Sequence, residues 1–254
     1  MSKAEMLSMA WLALRDTGKF MNLHQLSIVL PTTLLASCAL VACAHKPLQP
    51  ATPRTLTARE IGVVERARQF GLIPVQEAVP GIWVDQRYTT PRNITGSPFY
   101  PPALPCLIHR DTAAKLAWAQ NLLADSGYQL KIWDAYRPPE SHLFLFKKFG
   151  QSGYVHEPGF EGRWSYHCYG RAVDVTLLDS NGQELPMPSG FDDFSDHAWA
   201  AYLNGDPEIT ARLRTLQSAM MRAGFSMLDR EWWHFSDVPS GPLGAPVMAA
   251  DLGL

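Results

Sequence analysis

The chain has 254 residues, 46% of them hydrophobic and 18% charged, which is ordinary globular composition. Its net charge of −2 supplies no basic face of the kind a nucleic-acid partner favours. No period of about 20–50 residues recurs, which argues against a solenoid or propeller.

Residues 1–43 read as a leader rather than as part of a fold. Leu26 to Cys43 is uncharged and about as long as a membrane-spanning helix requires, but Pro31 interrupts it and it ends in small residues, as a secretory signal does. Leu40-Val-Ala-Cys43 resembles the lipobox of bacterial lipoproteins, in which the cysteine is lipidated and becomes the mature N-terminus. Leu35-Ala-Ser-Cys38 fits almost as well, so the lipidated cysteine is open, and an ordinary cleaved signal or an uncleaved anchor are the alternatives. Met21 is a candidate start. Residues 44–58 are rich in proline at their beginning and read as an extended tether. The expectation is an exported, periplasmic protein held to a bacterial membrane only through an N-terminal lipid or signal anchor. Of the remaining cysteines, Cys106 and Cys168, the sequence allows either one disulfide or two free buried thiols.

Residues 59–254 suit one domain. Asp111 to Ala124 reads as a helix capped by Asp111, with Ala113, Leu116, Ala117 and Leu123 on one face and Gly127 after its end. Tyr128, Leu130 and Ile132 alternate with Gln129, Lys131 and Trp133, the pattern of a half-buried strand. Pro138 pushes Arg137 toward extended backbone, and Pro139 opens a helix that ends before Gly150. Arg171 to Leu178 is a second alternating strand, with Ala172, Asp174 and Thr176 on one face. Asp179-Ser-Asn-Gly182 signals a turn into a return strand. Asp206-Pro207 starts the clearest helix, which ends at Gly224, and a strand from Phe225 carries Glu231 to Phe235. This order predicts an α+β domain with a mainly antiparallel sheet and helices packed on one side.

Two clusters carry chemistry. Ser165 to Asp174 contributes His167 and Asp174, and Glu231-Trp-Trp-His234 contributes His234 and a second carboxylate. Two imidazoles and one carboxylate fill three positions of a tetrahedral zinc ion, one per chain, and leave the fourth for water. One anionic ligand leaves the ion net positive, able to polarise a carbonyl and acidify that water, while Glu231 takes the proton. In a regular strand Glu231 and His234 would face opposite ways, so a bulge or loop must intervene for Glu231 to serve. Read singly, His167 and His234 would pass for structural histidines. His109, His142, His156 and His197 have no such setting and are expected at the surface. Trp232 and Trp233 are expected in the core and cleft wall.

These residues carry a resemblance. Ser-x-His-x-x-Gly-x-Ala-x-Asp stands at Ser165 to Asp174, and Glu-x-Trp-His at Glu231 to His234. Asp-x-Tyr-Arg-Pro stands at Asp134 to Pro138, with Tyr88, Thr90, Asn93, Thr95 and Gly96 ahead of it and Phe191-Asp192 after the turn. In this order the chain resembles the D-alanyl-D-alanine dipeptidases, the VanX-type branch of a zinc peptidase superfamily that also holds the D-Ala-D-Ala carboxypeptidases and the hedgehog signalling domain. The resemblance implies that His167, Asp174 and His234 ligate zinc and that Glu231 is the base. It implies further that Arg137 stabilises the oxyanion, Asp192 holds the substrate ammonium, and Ser165 and Tyr88 line a dipeptide pocket. Asp193 is the alternative to Asp192. Cys168-Tyr169 and Arg171 depart from the family pattern beside the metal and put substrate preference in doubt. The implied activity is hydrolysis of D-alanyl-D-alanine or a related small dipeptide in cell-wall turnover. A peptidoglycan carboxypeptidase or endopeptidase, a non-catalytic zinc module, and an iron oxygenase built on the same triad are the competing readings.

Overall fold

The computed structural model describes residues 48–159, 162–202 and 205–254, all within one compact unit of the chain. The stretch expected to be a leader, with Cys38 and Cys43, lies outside the described residues. Residues 48–57 form no helix or strand, but Gln49 and Ala51 donate their N–H groups to the Ser180 and Gly81 carbonyls, 3.1 and 2.9 Å away.

Helix α1 (Ala58–Ala67) starts at a capping box in which Thr57 accepts from the Glu60 N–H and Glu60 accepts from the Thr57 N–H. Strand β1 (Leu72–Pro74), the short α2 (Val75–Ala78) and strand β2 (Trp83–Val84) follow. Strand β3 (Leu107–His109) pairs antiparallel with β1 and runs directly into α3 (Arg110–Ala124). The cap of α3 is His109, whose Nδ1 accepts the Asp111 N–H at 3.3 Å. The expected cap, Asp111, lies instead in the first turn, where its carboxylate meets Arg171 at 2.7 Å.

Strand β4 (Gln129–Asp134) leads to α4 (Pro139–Phe149), opened by Pro139 as expected. Then come β5 (Ala172–Leu178), α5 (Pro207–Arg222), β6 (Ser226–Leu228) and β7 (Glu231–Ser236). The main sheet has five strands in the order β2-β4-β5-β7-β6, antiparallel except for the β2–β4 pair. The fold is thus α+β. Val173, Val175 and Leu177 of β5 pack with Leu116 and Leu123 of α3 and Leu213, Leu216 and Met220 of α5. Each such side chain removed from water contributes roughly 1.5–3 kcal/mol. A second apolar cluster joins α1, Leu72, Leu107, Tyr136 and the C-terminal Leu252.

Several expectations are corrected. Strand β4 is buried on both faces, so Gln129 and Trp133 are nearly as enclosed as Leu130, with the Trp133 ring against Phe191 and Trp232. The turn at Asp179–Gly182 leads to a single bridge, Leu178 to Glu184, rather than to a strand, since Pro186 and Pro188 cannot extend a ladder. The segment from Phe225 is a hairpin, not one strand. Cys106 and Cys168 are free thiols, so the disulfide alternative does not hold, and burial pushes both well above the ordinary thiol value. Among the described residues, no helix is long and apolar enough to cross a membrane.

Gly170 fixes the approach of the β1–β3 pair to the main sheet. It is left-handed at φ +65, and a Cβ there would lie 2.9 Å from the His109 backbone nitrogen. Its carbonyl accepts the His109 N–H at 2.9 Å. Gly170→Ala is expected to lower stability by roughly 2 kcal/mol or more, because an L side chain pays for this backbone and the strand pair must also shift. Denaturant unfolding checks it, and a midpoint equal to wild type would refute the packing described.

Candidate active site

Registration of three neighbouring strands lines up Asp134, Asp174 and His234. Asp174 of β5 lies opposite Asp134 of β4 on one side and opposite His234 of β7 on the other. The first pairing requires a bulge: Ile132 pairs with Val175 and Asp134 with Asp174, leaving Trp133 as an extra residue. His167 arrives from the short helical turn Tyr166–Tyr169, which Gly170 closes.

The donor atoms converge. Asp174 Oδ1 is 3.0 Å from His234 Nδ1 and 3.3 Å from His167 Nε2, and the two ring nitrogens are 3.1 Å apart. Ligands about 2.0–2.1 Å from a tetrahedral ion sit about 3.3 Å from one another, so these atoms are spaced as three corners of such a shell. Tautomer chemistry agrees. His167 Nδ1 lies 2.7 Å from the Ala135 carbonyl oxygen, which can only accept, so in the neutral ring Nδ1 holds the proton and Nε2 presents a lone pair. All three residues are buried, with 1%, 2% and 6% exposure for His167, Asp174 and His234. The cluster is the group of histidine and acidic side chains, among the described residues, that could hold a metal ion.

The geometric difficulty at Glu231 is resolved by a second irregularity. Met227 pairs with Phe235 and Leu228 with Glu231, so one step along β6 matches the whole stretch from Glu231 to Phe235 on β7. The displaced backbone brings Glu231 Oε2 to 3.8 Å from His234 Nδ1. Burial, and after it the Asp174 carboxylate, push the Glu231 carboxyl up to about 8. A cation held by the triad opposes both effects.

Arg137 sits on the other side of Asp174. Its Nε donates to Asp134 Oδ2 at 2.9 Å and an Nη donates to Asp174 Oδ2 at 3.4 Å, while the guanidinium lies 5.1 Å from the Tyr88 ring centre. Further donors of its five remain for a ligand. Burial would raise the Asp174 carboxyl, but His167 and His234 beside it hold it well below its ordinary value.

Asp192 lines the same cleft. The Tyr88 hydroxyl donates to its Oδ1 at 2.9 Å and the Ile94 N–H to its Oδ2 at 3.1 Å. Asp192 occupies left-handed backbone at φ 59, an arrangement that costs energy in a non-glycine residue and is held by its surroundings. Burial pushes its carboxyl up to about 6. Asp193 instead accepts the Ser195 N–H at 3.1 Å and caps a turn. Tyr88, Arg137, Ser165, Asp192 and Glu231 line one cleft of about 310 Å³ with the three converging residues. Trp233 forms part of its wall, and Trp232 is core.

Other positions differ from expectation. His142 is fully buried in the cleft wall, not at the surface; its Nε2 donates to the His156 carbonyl at 2.8 Å, and burial followed by Arg137 lowers it to about 3. His156 also lines the cleft and His109 caps α3, whereas His197 is exposed as expected. Arg171 and Cys168 do not reach the cleft: Arg171 turns away to Asp237 and Asp111, and Cys168 is enclosed. Asp134 and Ser236, which contact His167 and His234, have no role assigned from sequence; Asp134 stands in the Asp-x-Tyr-Arg-Pro motif, and proximity to His234 is the signal for Ser236.

Residues 68–246 match the M15 peptidase family, described as D-ala-D-ala dipeptidase. The D-alanyl-D-alanine dipeptidase of Escherichia coli is 32% identical over 164 residues, covering 65% of this chain and 83% of that protein. Those of Enterococcus faecium and Enterococcus faecalis are 29% and 31% identical, covering 66% and 65% of this chain and 91% and 90% of their own lengths. With the converging donors, the cleft and this match along most of the folded part, the chain belongs to the M15 family of peptidases.

Proposed function

We propose that the protein is a zinc dipeptidase that hydrolyses D-alanyl-D-alanine, or a closely related small dipeptide, to free amino acids in cell-wall peptide turnover. The observation that carries this reading is a buried carboxylate, Asp192, in the same cleft as the His167–Asp174–His234 triad. The names of the relatives from Escherichia and Enterococcus support the substrate class. Two imidazoles and one carboxylate fit zinc, which when bound acts as a Lewis acid toward a carbonyl and lowers the pKa of water.

The chain's own groups divide the remaining work. A free dipeptide carries an ammonium that costs several kcal/mol to bury unpaired. Asp192, fixed by Tyr88 and Ile94, offers it a fixed counter-charge and rejects chains lacking that charge at this place. Ser165 and Tyr88 shape the pocket around it. Glu231 takes a proton from the attacking water as the C–O bond forms. It delivers that proton to the departing nitrogen as the C–N bond breaks, which leaves two free amino acids. Arg137 aims its remaining N–H groups at the oxygen that gains negative charge, a contribution of roughly 3–4 kcal/mol per donor.

The division into a leader at 1–43, a tether at 44–58 and a peptidase domain at 59–254 belongs to the same proposal, as does an exported, lipid-anchored location. The uncharged stretch before Cys43 and its lipobox-like end support it. Fatty-acid labelling of cells making the full chain is expected to mark the protein, and to fail when both Cys38 and Cys43 are serine. Labelling that survives in the double variant refutes the anchor.

Chelation should abolish turnover of D-alanyl-D-alanine and added zinc should restore it. Glu231→Gln is expected to lower kcat by roughly 10²–10⁴-fold with zinc content unchanged; undiminished turnover removes Glu231 from its role. N-acetyl-D-alanyl-D-alanine should resist hydrolysis, and equal cleavage of the blocked and free forms would favour a carboxypeptidase. Asp192 also leaves a stability signature. Its folded carboxyl, near 6, lies above the ordinary 3.8, so ionising it costs stability as pH rises through that window. In the metal-free protein Asp192→Asn should therefore raise stability by on the order of 1 kcal/mol at pH 8. The gain should vanish below about pH 4, and a gain independent of pH would count against a buried ionised Asp192.

A further inference from the structure

The two histidines of the triad are oriented by different means. His167 is locked by a main-chain carbonyl, Ala135, which no side-chain substitution can remove. His234 turns its Nδ1 to the triad and its Nε2 to the Ser236 hydroxyl at 2.8 Å. Ser236 is 5% exposed and ends β7. A hydroxyl both donates and accepts, so Ser236 suits either tautomer of His234.

The choice between tautomers decides whether the site is ready for an ion. With the proton on Nε2, donated to Ser236 Oγ, Nδ1 presents a lone pair beside those of His167 Nε2 and Asp174 Oδ1. With the proton on Nδ1, that N–H donates to Asp174 Oδ1, 3.0 Å away, in a charge-assisted bond. The second form occupies two donor atoms of the site at once and must be undone before a cation enters. Only the acceptor at Ser236 makes the first form affordable, since a buried N–H without a partner carries a full desolvation cost.

The placement of Ser236 is itself fixed. Asp237, next in the chain, is 2% exposed and accepts from Thr112 Oγ1 at 2.6 Å, Arg171 Nη at 2.8 Å and the Lys115 ammonium. Its own N–H donates to the Arg171 carbonyl at 2.7 Å. Ala172 lies opposite Ser236 in the β5–β7 ladder. The hydroxyl is thus held by a polar cluster at the base of α3, outside the cleft.

We propose that Ser236 is a positioning residue that sets the metal-accepting tautomer of His234, and that the Asp237–Arg171–Lys115 cluster holds it in place. The inference rests on the metal reading of the triad and deepens it: ion affinity depends on a hydroxyl that acts on the triad through the far nitrogen of His234.

The test is zinc affinity of the chelator-stripped full chain at one fixed pH, measured by competition with a chromophoric chelator, together with imidazole ¹⁵N spectra. Ser236→Ala is expected to weaken zinc binding by about 10–100-fold. Ser236→Thr, which keeps the hydroxyl, should bind within a few-fold of wild type. The zinc-loaded wild type should show His234 protonated at Nε2, a readout that needs no variant to fold. In Ser236→Ala without zinc, the His234 proton should move to Nδ1. Equal affinity in wild type and Ser236→Ala, failure of threonine to rescue, or a wild-type His234 coordinated through Nε2 each overturns the inference alone. A wild type that takes up no zinc overturns the metal reading and this inference with it.

Discussion

Two carboxylates side by side in a nearly dry sheet set the terms for the rest of this molecule. Asp134 and Asp174 are paired across β4 and β5 and are 0% and 2% exposed. Like charges at that spacing repel and neither can be hydrated, so the fold survives only by bringing positive charge to them. Arg137 meets both, and Tyr100 donates a further hydrogen bond to Asp134 at 2.7 Å. His167 and His234 crowd the remaining side of Asp174. Removing one partner from such a group typically costs 3–5 kcal/mol, which ties the stability of the sheet to the groups that do chemistry.

The same constraint explains the irregular backbone. A regular ladder would leave Trp133 and Glu231 at positions that spoil the alignment, and each is accommodated by a break in register. One break seats Asp134 opposite Asp174, and the other brings Glu231 toward the triad. Both lie where the sheet faces the cleft, while the opposite face of β5 keeps an unbroken apolar row against α3 and α5. Packing on one face therefore holds the strands rigid enough for the other face to depart from regularity.

What could be read from sequence follows from how local each signal is. The helices beginning at Pro139 and Pro207 stand where the proline and cap rules put them, because those signals act over one turn. His167, Asp174, His234, Glu231 and Arg137 were legible as a set through motif order, and the structure brings them into one cleft. The β6–β7 hairpin was not, since Asp229-Arg230 lacks the glycine or asparagine that marks a tight turn. The burial of His142 was not either: its partner is a backbone carbonyl on a distant loop, and no pattern in the helix announces it. Arg171 was expected near the metal because it is close in sequence, but strand alternation turns it to the far side.

The unpaired thiols carry a practical meaning. Cys106 and Cys168 are packed as small apolar groups, and burial holds each well away from the thiolate form that oxidants attack. The domain therefore owes none of its cohesion to a covalent cross-link. It should reach the same conformation under reducing as under oxidising conditions.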